Sequence, residues 1–552
     1  MLSDLWYRNA VFYSLDVETF FDSDGDGCGD FEGLSRRLDY LEALGVDAVW
    51  LSPFQPSPGG DDGYDVTDYY GIDPRFGSLG DFVEFMHEAE SRGIRVVIDF
   101  VVNHTSDEHS WFRDASRDKH SRFHDWYVWS KKRPPDWQSG TVFPGIQKTT
   151  WSYARGVGKY YFHRFYDFEP DLNIENPQVR EEIRRIMGFW LEQGVAGFRV
   201  DAVPFILEKP SRDGGKRPLD FEYLSELRDF LQWRVGDAVL LGEANVPPRE
   251  SQRYFAKGGG LHMMFNFWVN QHLFYALASG DARPLAKALR ETARLPPSAQ
   301  WATFLRNHDE LDLGRLPDEQ REAVFEQFGP DPGMQLYGRG IRRRLASMLG
   351  DRKRIELAYS LLFSLPGTPV LRYGEEIGMG DDLSLVERNA VRTPMQWSAE
   401  RNGGFSIAEK CVRPVIEGGP YGYERVNVAD QQRDADSLLR WMTRMIRLRT
   451  QCPEIGWGDC RVVPVRAHGV VATEHRWRGT TVVCVHNLRA QPTEIRLELA
   501  DATREALVDL IDDDESTPDD RGAHRLALDA YGYRWYRLGT RNSALRRRRQ
   551  SG

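Results

Sequence analysis

The run Gly197-Phe198-Arg199-Val200-Asp201 decides how this chain is read. It is short, largely apolar and closed by a carboxylate. The segment before it, 179–193, carries apolar residues at helical spacing, and so does the segment after it, 221–235. A short strand between two helices is one unit of a strand–helix alternation, and the unit recurs in both directions. Toward the N-terminus stand the strand-like runs 11–15, 48–51 and 95–102, with helical patterns at 34–44 and 79–91. Toward the C-terminus stand 238–242, 262–266, 302–305 and 368–373. Eight strands, mostly separated by helical segments, predict an α/β fold built as a parallel (β/α)₈ TIM barrel. A doubly wound sheet is the alternative, but it would carry an early glycine-rich phosphate loop, and none is present.

Two regions break the alternation. Between His104 and Gln178 the chain holds Trp111, Trp126, Trp129, Trp137 and Trp151, many charges and few helical repeats. A structureless loop of that length is improbable inside a barrel, so an inserted subdomain after the third strand is expected. From about Trp457 the pattern turns to period two, at 462–466, 470–475, 481–487, 493–499 and 534–538, which predicts a small C-terminal antiparallel β-sandwich. The expected organisation is therefore a barrel over residues 1–104 and 171–455, the inserted subdomain over 105–170, the sandwich over 456–540 and a disordered basic tail over 541–552.

Composition narrows the function. The 552 residues are 41% hydrophobic and 28% charged, which fits a globular protein and excludes wholesale disorder. No apolar stretch is long enough to span a membrane, and residues 1–11 have no apolar core of signal-peptide length. With a formal net charge of −11, nucleic acid is not an expected partner. The dense basic run, Arg546 to Arg549, lies in the tail. The five cysteines, Cys28, Cys411, Cys452, Cys460 and Cys484, are odd in number and show no Cys-x-x-Cys spacing. Reduced thiols and a cytoplasmic location follow as expectations.

Barrel enzymes gather their chemistry at the C-terminal ends of the strands. Here the third strand runs into Asp99-Phe100-Val101-Val102-Asn103-His104, the fourth ends on Asp201, the fifth on Glu243-Ala244-Asn245 and the seventh on Asn307-His308-Asp309-Glu310. One carboxylate at a strand end is usually a cap or a surface charge. Several carboxylates, two histidines and an arginine converging on one cavity are costly to bury without a function. Cleavage of a glycosidic bond needs two carboxyl groups flanking the bond, one protonated and one ionised. Arg199 lies two residues from Asp201, on the same side of the strand, so its charge should keep Asp201 ionised. Glu243 is then the acid/base, raised by burial among other carboxylates.

These stretches, in this order, resemble the signature regions of the α-amylase family of retaining glycoside hydrolases and transglycosylases, glycoside hydrolase family 13. Further matches are Gly45-Val46-Asp47-Ala48-Val49-Trp50-Leu51-Ser52-Pro53, Asp171-Leu172-Asn173 and Gly367-Thr368-Pro369 through Gly374-Glu375-Glu376. The resemblance implies Asp201 as nucleophile, Glu243 as general acid/base and Asp309 as the group that holds sugar hydroxyls in the transition state. It implies that His104 and His308 bind the same glucose, that Tyr64 stacks beneath it, and that Asp61 grips its non-reducing end. Arg392 is implied as a further residue of the substrate pocket. The loop Asp22-Ser23-Asp24-Gly25-Asp26-Gly27-Cys28-Gly29-Asp30 sets carboxylates at alternate positions, although Gly33 stands where an EF-hand would place its acidic twelfth residue. By resemblance it is a structural Ca²⁺ loop with Asp22, Asp24, Asp26, the Cys28 carbonyl and Asp30 as ligands. No organic cofactor is expected.

Within the family, several stretches resemble the trehalose-synthase-like and oligo-1,6-glucosidase-like members. They include Tyr160 through Phe165, Phe304 through Leu311, Gly340 through Ala346, and Val391-Arg392-Thr393-Pro394-Met395-Gln396-Trp397. The implied reaction is interconversion of maltose and trehalose by intramolecular transglucosylation through a glucosyl-Asp201 intermediate. Two departures keep an α-glucosidase or a glucosyltransferase open. Val246 follows Glu243-Ala244-Asn245 where glutamine is usual, and 139–143, Ser-Gly-Thr-Val-Phe, lacks an arginine usual near there. A non-catalytic sugar-binding scaffold is the remaining alternative, and it would be expected to have lost one of the three carboxylates. The expected partner is a small α-glucoside, with no membrane, and homo-oligomerisation stays open.

Overall fold

The computed structural model describes residues 3–208, 218–499, 505–512 and 514–539. Eight parallel strands close a barrel: β1 (Phe12–Leu15), β2 (Ala48–Leu51), β3 (Arg95–Phe100), β4 (Gly197–Val200), β5 (Val239–Gly242), β6 (Met263–Phe265), β7 (Gln300–Phe304) and β8 (Thr368–Arg372). Each pairs with its sequence neighbours, and β8 closes on β1 through Phe12 opposite Val370. Strand period two sorts the side chains. Phe12, Trp50, Val97, Val239, Leu241, Met263, Phe265, Phe304 and Val370 fill the barrel interior as one apolar cluster. Their alternates, such as Val49, Ile98, Phe198, Val200 and Leu240, belong to the larger cluster packed under the surrounding helices.

Gly197 opens β4 at φ +152°, and a Cβ there would lie 2.2 Å from the Val239 carbonyl oxygen. Only glycine lets β4 and β5 approach at that point. The helices carry the caps their sequences suggest. Leu79–Ser91 starts on a reciprocal Ser78–Asp81 capping box, and Pro177–Glu192 starts on Asn176 with proline at its first position. The helix expected over 34–44 is instead two, Phe31–Ser35 and Leu38–Leu44. Asp30 caps the first through Gly33, and Arg37, at φ −108° and ψ 3°, breaks the turn between them.

The insertion after β3 forms a three-stranded sheet in the order Trp129–Ser130, Lys159–Phe162, Trp151–Ala154, around a small core of Val128, Trp151 and Phe162. It returns to the barrel through a bridge between His104 and Asp171. A second excursion, between β7 and β8, was not expected. It holds the helix Asp318–Phe328 and a sheet of the two-residue strands Leu311–Asp312, Gly340–Ile341 and Gln335–Leu336. The C-terminal region is antiparallel, a six-stranded and a two-stranded sheet. Val470, Val483, Val485, Ile495, Leu497, Leu526 and Leu528 form a separate core there. Three of its strands, Leu507–Asp509, Glu515–Ser516 and Ala523–Leu528, escaped the sequence reading. The basic tail 541–552 lies outside the described residues. Among the described residues no helix is long and apolar enough to cross a membrane, and no disulfide joins the five cysteines.

Candidate active site

The strand ends of β3, β4, β5 and β7 meet at the C-terminal mouth of the barrel around one guanidinium. Arg199 is 1% exposed. Its Nη1 donates to Asp99 Oδ1 at 2.6 Å and to Asp201 Oδ1 at 2.5 Å, and its Nη2 donates to Glu243 Oε2 at 2.7 Å. The strand register sets this up, since Asp99 pairs with Arg199 across β3 and β4. Asp99 is completed by the Trp50 indole at 2.9 Å and the Tyr64 hydroxyl at 3.2 Å. Asp99 has no assigned role in the sequence motif; here its carboxylate shares the Arg199 Nη1 with Asp201. Beyond Asp201 the chain turns through Ala202 at φ +47°, a left-handed conformation unusual for alanine. That turn aims the Ala202 amide at Glu243 Oε2, 3.4 Å away.

Asp309 is held from the other side. Arg388 Nη1 lies 3.0 Å and Arg392 Nη2 3.1 Å from its Oδ1, and His308 Nε2 lies 3.4 Å from its Oδ2. The Tyr64 and His308 rings stack at 5.6 Å, and the Tyr64 hydroxyl lies 2.8 Å from His308 Nε2. His308 Nδ1 has no hydrogen-bond partner in the protein. His104 Nε2 donates to the Tyr64 carbonyl at 3.2 Å, and Asn103 Nδ2 donates to His104 Nδ1 at 3.3 Å, which fixes the neutral tautomer.

Burial separates the carboxyl groups electrostatically. It pushes Asp201 up to about 6 and Glu243 up to about 7, in both cases against the pull of Arg199. Burial acts on Asp309 too, but Arg388 and Arg392 outweigh it and hold that carboxyl far below the ordinary range. Burial lowers His104 to about 4 and His308 to about 3, so both imidazoles are neutral near pH 7. One carboxyl that keeps its proton, one that loses it more readily and one permanently charged is an arrangement suited to glycosidic bond cleavage.

A cavity of about 630 Å³ joins these groups, with Asp61, Tyr64, His104, Asp201, Glu243, His308 and Asp309 in its wall. Arg392, expected at the substrate, sits elsewhere. It is 2% exposed, behind Asp309, with Nη1 2.8 Å from Asp62, and it lines a neighbouring cavity of about 360 Å³. Arg388, which the sequence reading missed, lines both cavities. It stands four residues before Arg392, in a run with no recognisable pattern, and only the fold of the loop after β8 brings it in. Residues 140–143 and Val246 also line the main cavity. Arginines from elsewhere in the chain contact that loop. Arg164 Nη1 donates to the Gly140 carbonyl at 3.0 Å, Arg339 Nη1 donates to the Val142 carbonyl at 2.8 Å, and the Arg388 guanidinium lies 4.8 Å from the Phe143 ring centre.

In the acidic loop, Asp22, Asp24 and Asp30 bring carboxylate oxygens within 4.8 Å of one another. Asp26 is not in that group, and its Oδ1 accepts from the Cys28 amide at 2.7 Å instead. Asp22 accepts from the amides of Asp24, Gly25 and Gly27 and from the Ser406 hydroxyl.

Comparison with known proteins places this geometry in a wider group. Residues 17–325 and 341–458 match the family described as alpha amylase, catalytic domain, and residues 479–537 match the sucrose hydrolase-like C-terminal domain. The chain is 42% identical over 544 residues to a trehalose synthase of Thermus thermophilus, covering 97% of this chain and 56% of that one. It is 40% identical to a trehalose synthase of Pimelobacter sp. (strain R48), covering 97% of this chain and 96% of that protein. The crystal structure of Bacillus licheniformis trehalose-6-phosphate hydrolase is similar with a TM-score of 0.78 at 26% identity, over 97% of this chain and 100% of that one.

Proposed function

The chain belongs to the α-amylase family of enzymes that act on α-glucosides, and from that premise we propose that it interconverts maltose and trehalose by intramolecular transglucosylation. The observation that carries the reading is Arg199, whose two terminal nitrogens hold Asp201 and Glu243 in one cavity with Asp309 opposite. Asp201 attacks the anomeric carbon of the non-reducing glucosyl unit. Glu243 gives its proton to the glycosidic oxygen, and the second glucose leaves. The new bond is an ester between that anomeric carbon and Asp201. The freed glucose turns over and offers its own anomeric hydroxyl. Glu243 takes that proton, the ester breaks, and Asp201 leaves as a carboxylate. Asp309, locked in its charged form by two arginines, stabilises the positive charge that develops on the sugar ring in both steps. Tyr64 supports the ring. His308, Asp61 and His104 complete the wall around the glucose.

Water reaching the ester would give hydrolysis, so an α-glucosidase is the second reading; similarity to a trehalose-6-phosphate hydrolase favours keeping it. The chromatographic time course of glucose, maltose and trehalose, starting from pure maltose and from pure trehalose, separates the two. Net interconversion with little glucose supports the isomerase, and glucose alone overturns it.

The converging oxygens of Asp22, Asp24 and Asp30 support a structural Ca²⁺ at the acidic loop, with no part in the chemistry. An odd number of cysteines without Cys-x-x-Cys spacing supports a cytoplasmic location.

A further inference from the structure

The loop 140–143 forms part of the cavity wall and carries Phe143, which is 2% exposed. The Phe143 ring lies 4.9 Å from that of Tyr166 in the inserted subdomain and 5.0 Å from that of Tyr337 in the excursion between β7 and β8. Three separate segments therefore meet in one aromatic roof. Arg164 and Arg339 tie the backbone of the loop, but each reaches it at a carbonyl and neither touches a reacting group. Arg388 is different. Its guanidinium carbon lies 4.8 Å from the Phe143 ring centre and 5.6 Å from that of Tyr337. The edge of the same group holds Asp309 Oδ1 at 3.0 Å and Glu310 Oε2 at 2.9 Å. One planar cation thus spans the roof of the cavity and the carboxylate that stabilises the transition state.

We propose that Arg388 is a specificity-determining residue that couples the roof at Phe143 to Asp309 and keeps the cavity shut while the freed sugar turns over. The inference rests on the isomerase reading above. Between departure of the leaving glucose and its return, the glucosyl ester is exposed to whatever the cavity admits. Water and glucose compete for the same anomeric carbon, so a roof held in place favours glucose and a loosened one admits water. Joining the roof to Asp309 means that a sugar seated against Asp309 steadies the roof through Arg388. Lysine keeps the charge but lacks the planar fork that pairs and stacks at once. Leucine at position 143 keeps the bulk but removes the π face, whereas tyrosine keeps both.

The test compares the glucose-to-trehalose ratio formed from maltose by wild type, F143L, F143Y, R388K and the double variant. F143L and R388K should raise that ratio about three- to tenfold. F143Y should leave it near wild type, and the double variant should exceed R388K little, because both changes break one link. A ratio unmoved in F143L, an equal rise in F143Y, or additive effects would overturn the coupling. Should R388K not fold, as its melting curve would reveal, the F143L and F143Y pair carries the test. A wild type that yields glucose alone sinks the isomerase reading, which is a separate failure. The coupling is then read on transfer to added glucose, where F143L must lower the transfer-to-hydrolysis ratio by a similar factor, and an unchanged ratio rejects it.

Discussion

Arg199 holds Glu243 at 2.7 Å through one terminal nitrogen and Asp201 at 2.5 Å through the other. The acid/base and the nucleophile are therefore tuned by one charge, and burial lifts both against it. Asp201 stands at about 6 and Glu243 at about 7. Such a pair shares its protons, and the two values belong to the pair as a unit.

Turnover needs Asp201 ionised and Glu243 protonated. The first condition is met as pH rises through about 6, and the second is lost as it rises through about 7. A bell-shaped profile of kcat/KM, centred between those values and narrow, is expected. Glu243→Gln should remove the alkaline limb and cost roughly 10²–10⁴-fold in rate. Asp201→Asn should leave turnover near background with substrate binding retained. A wild-type profile flat from acid to alkaline pH would contradict this assignment.

Asp309 separates from that pair. Its charge is fixed by Arg388 and Arg392 across the working range, so it contributes neither limb. Asp309→Asn should lower kcat by about 10²–10³-fold, as expected for loss of a preorganised charge opposite the reacting centre. The negative charge of Asp309 also raises Asp201 and Glu243, so both limbs of the remaining activity should move to lower pH. Limbs that stay where they are would mean that Asp309 carries no charge felt by the pair.

The barrel was legible because each strand is a short apolar run between helices with clear stop signals, such as Gly45, which ends its helix at φ +91°. The catalytic carboxylates were legible because they close those runs. What escaped has no periodicity to read. Two-residue strands such as Leu311–Asp312 and Gly340–Ile341 are too short to alternate. Arg388 lies in a loop whose position depends on Arg342 holding the carbonyls of Leu383 and Glu387 at 2.9 and 3.2 Å, a contact far apart in sequence. Asp99 was visible as a letter in a motif, but its duty toward Arg199 depends on strand register. Arg392 pairs with Asp62 and Asp309 through contacts that no local pattern announces.

Gly197→Ala tests the closest approach in the barrel. The new methyl would lie 2.2 Å from the Val239 carbonyl, and backbone on both sides leaves nothing flexible to move. A cost of about 3 kcal/mol or more is expected, seen as a lower denaturation midpoint or loss of soluble protein. Wild-type stability in the variant would show that the two strands separate freely.

The acidic loop predicts a stability effect without a catalytic one. Asp24 is the ligand to change, because its Oδ1 accepts only the Asp26 amide, at 3.0 Å, whereas Asp22 is woven into four hydrogen bonds. Calcium at a hundredfold excess over its dissociation constant should stabilise wild type by about 2.7 kcal/mol. Asp24→Asn should respond much less, with turnover per folded molecule unchanged. Identical melting in chelator and in calcium would remove the ion from this loop.

Glu169 carries the last prediction. It is 0% exposed; its Oε2 accepts from the Tyr166 amide at 3.2 Å, while its Oε1 lies 3.7 Å from His104 Nε2 with no hydrogen-bond partner. Burial first, then the nearby charge of Asp61, lifts its pKa well above the ordinary carboxylate value. The folded protein therefore keeps a proton that the unfolded chain gives up, and folding stability falls as pH rises from the unfolded value toward the folded one. Glutamine has the shape of the protonated acid and no proton to lose. Glu169→Gln should match wild type near pH 4 and be progressively more stable than wild type toward pH 8, as read from thermal midpoints across that range. A constant difference at every pH would mean that Glu169 is ionised in the fold, paired with a protonated His104, and that the neutral tautomer assigned to that histidine is wrong.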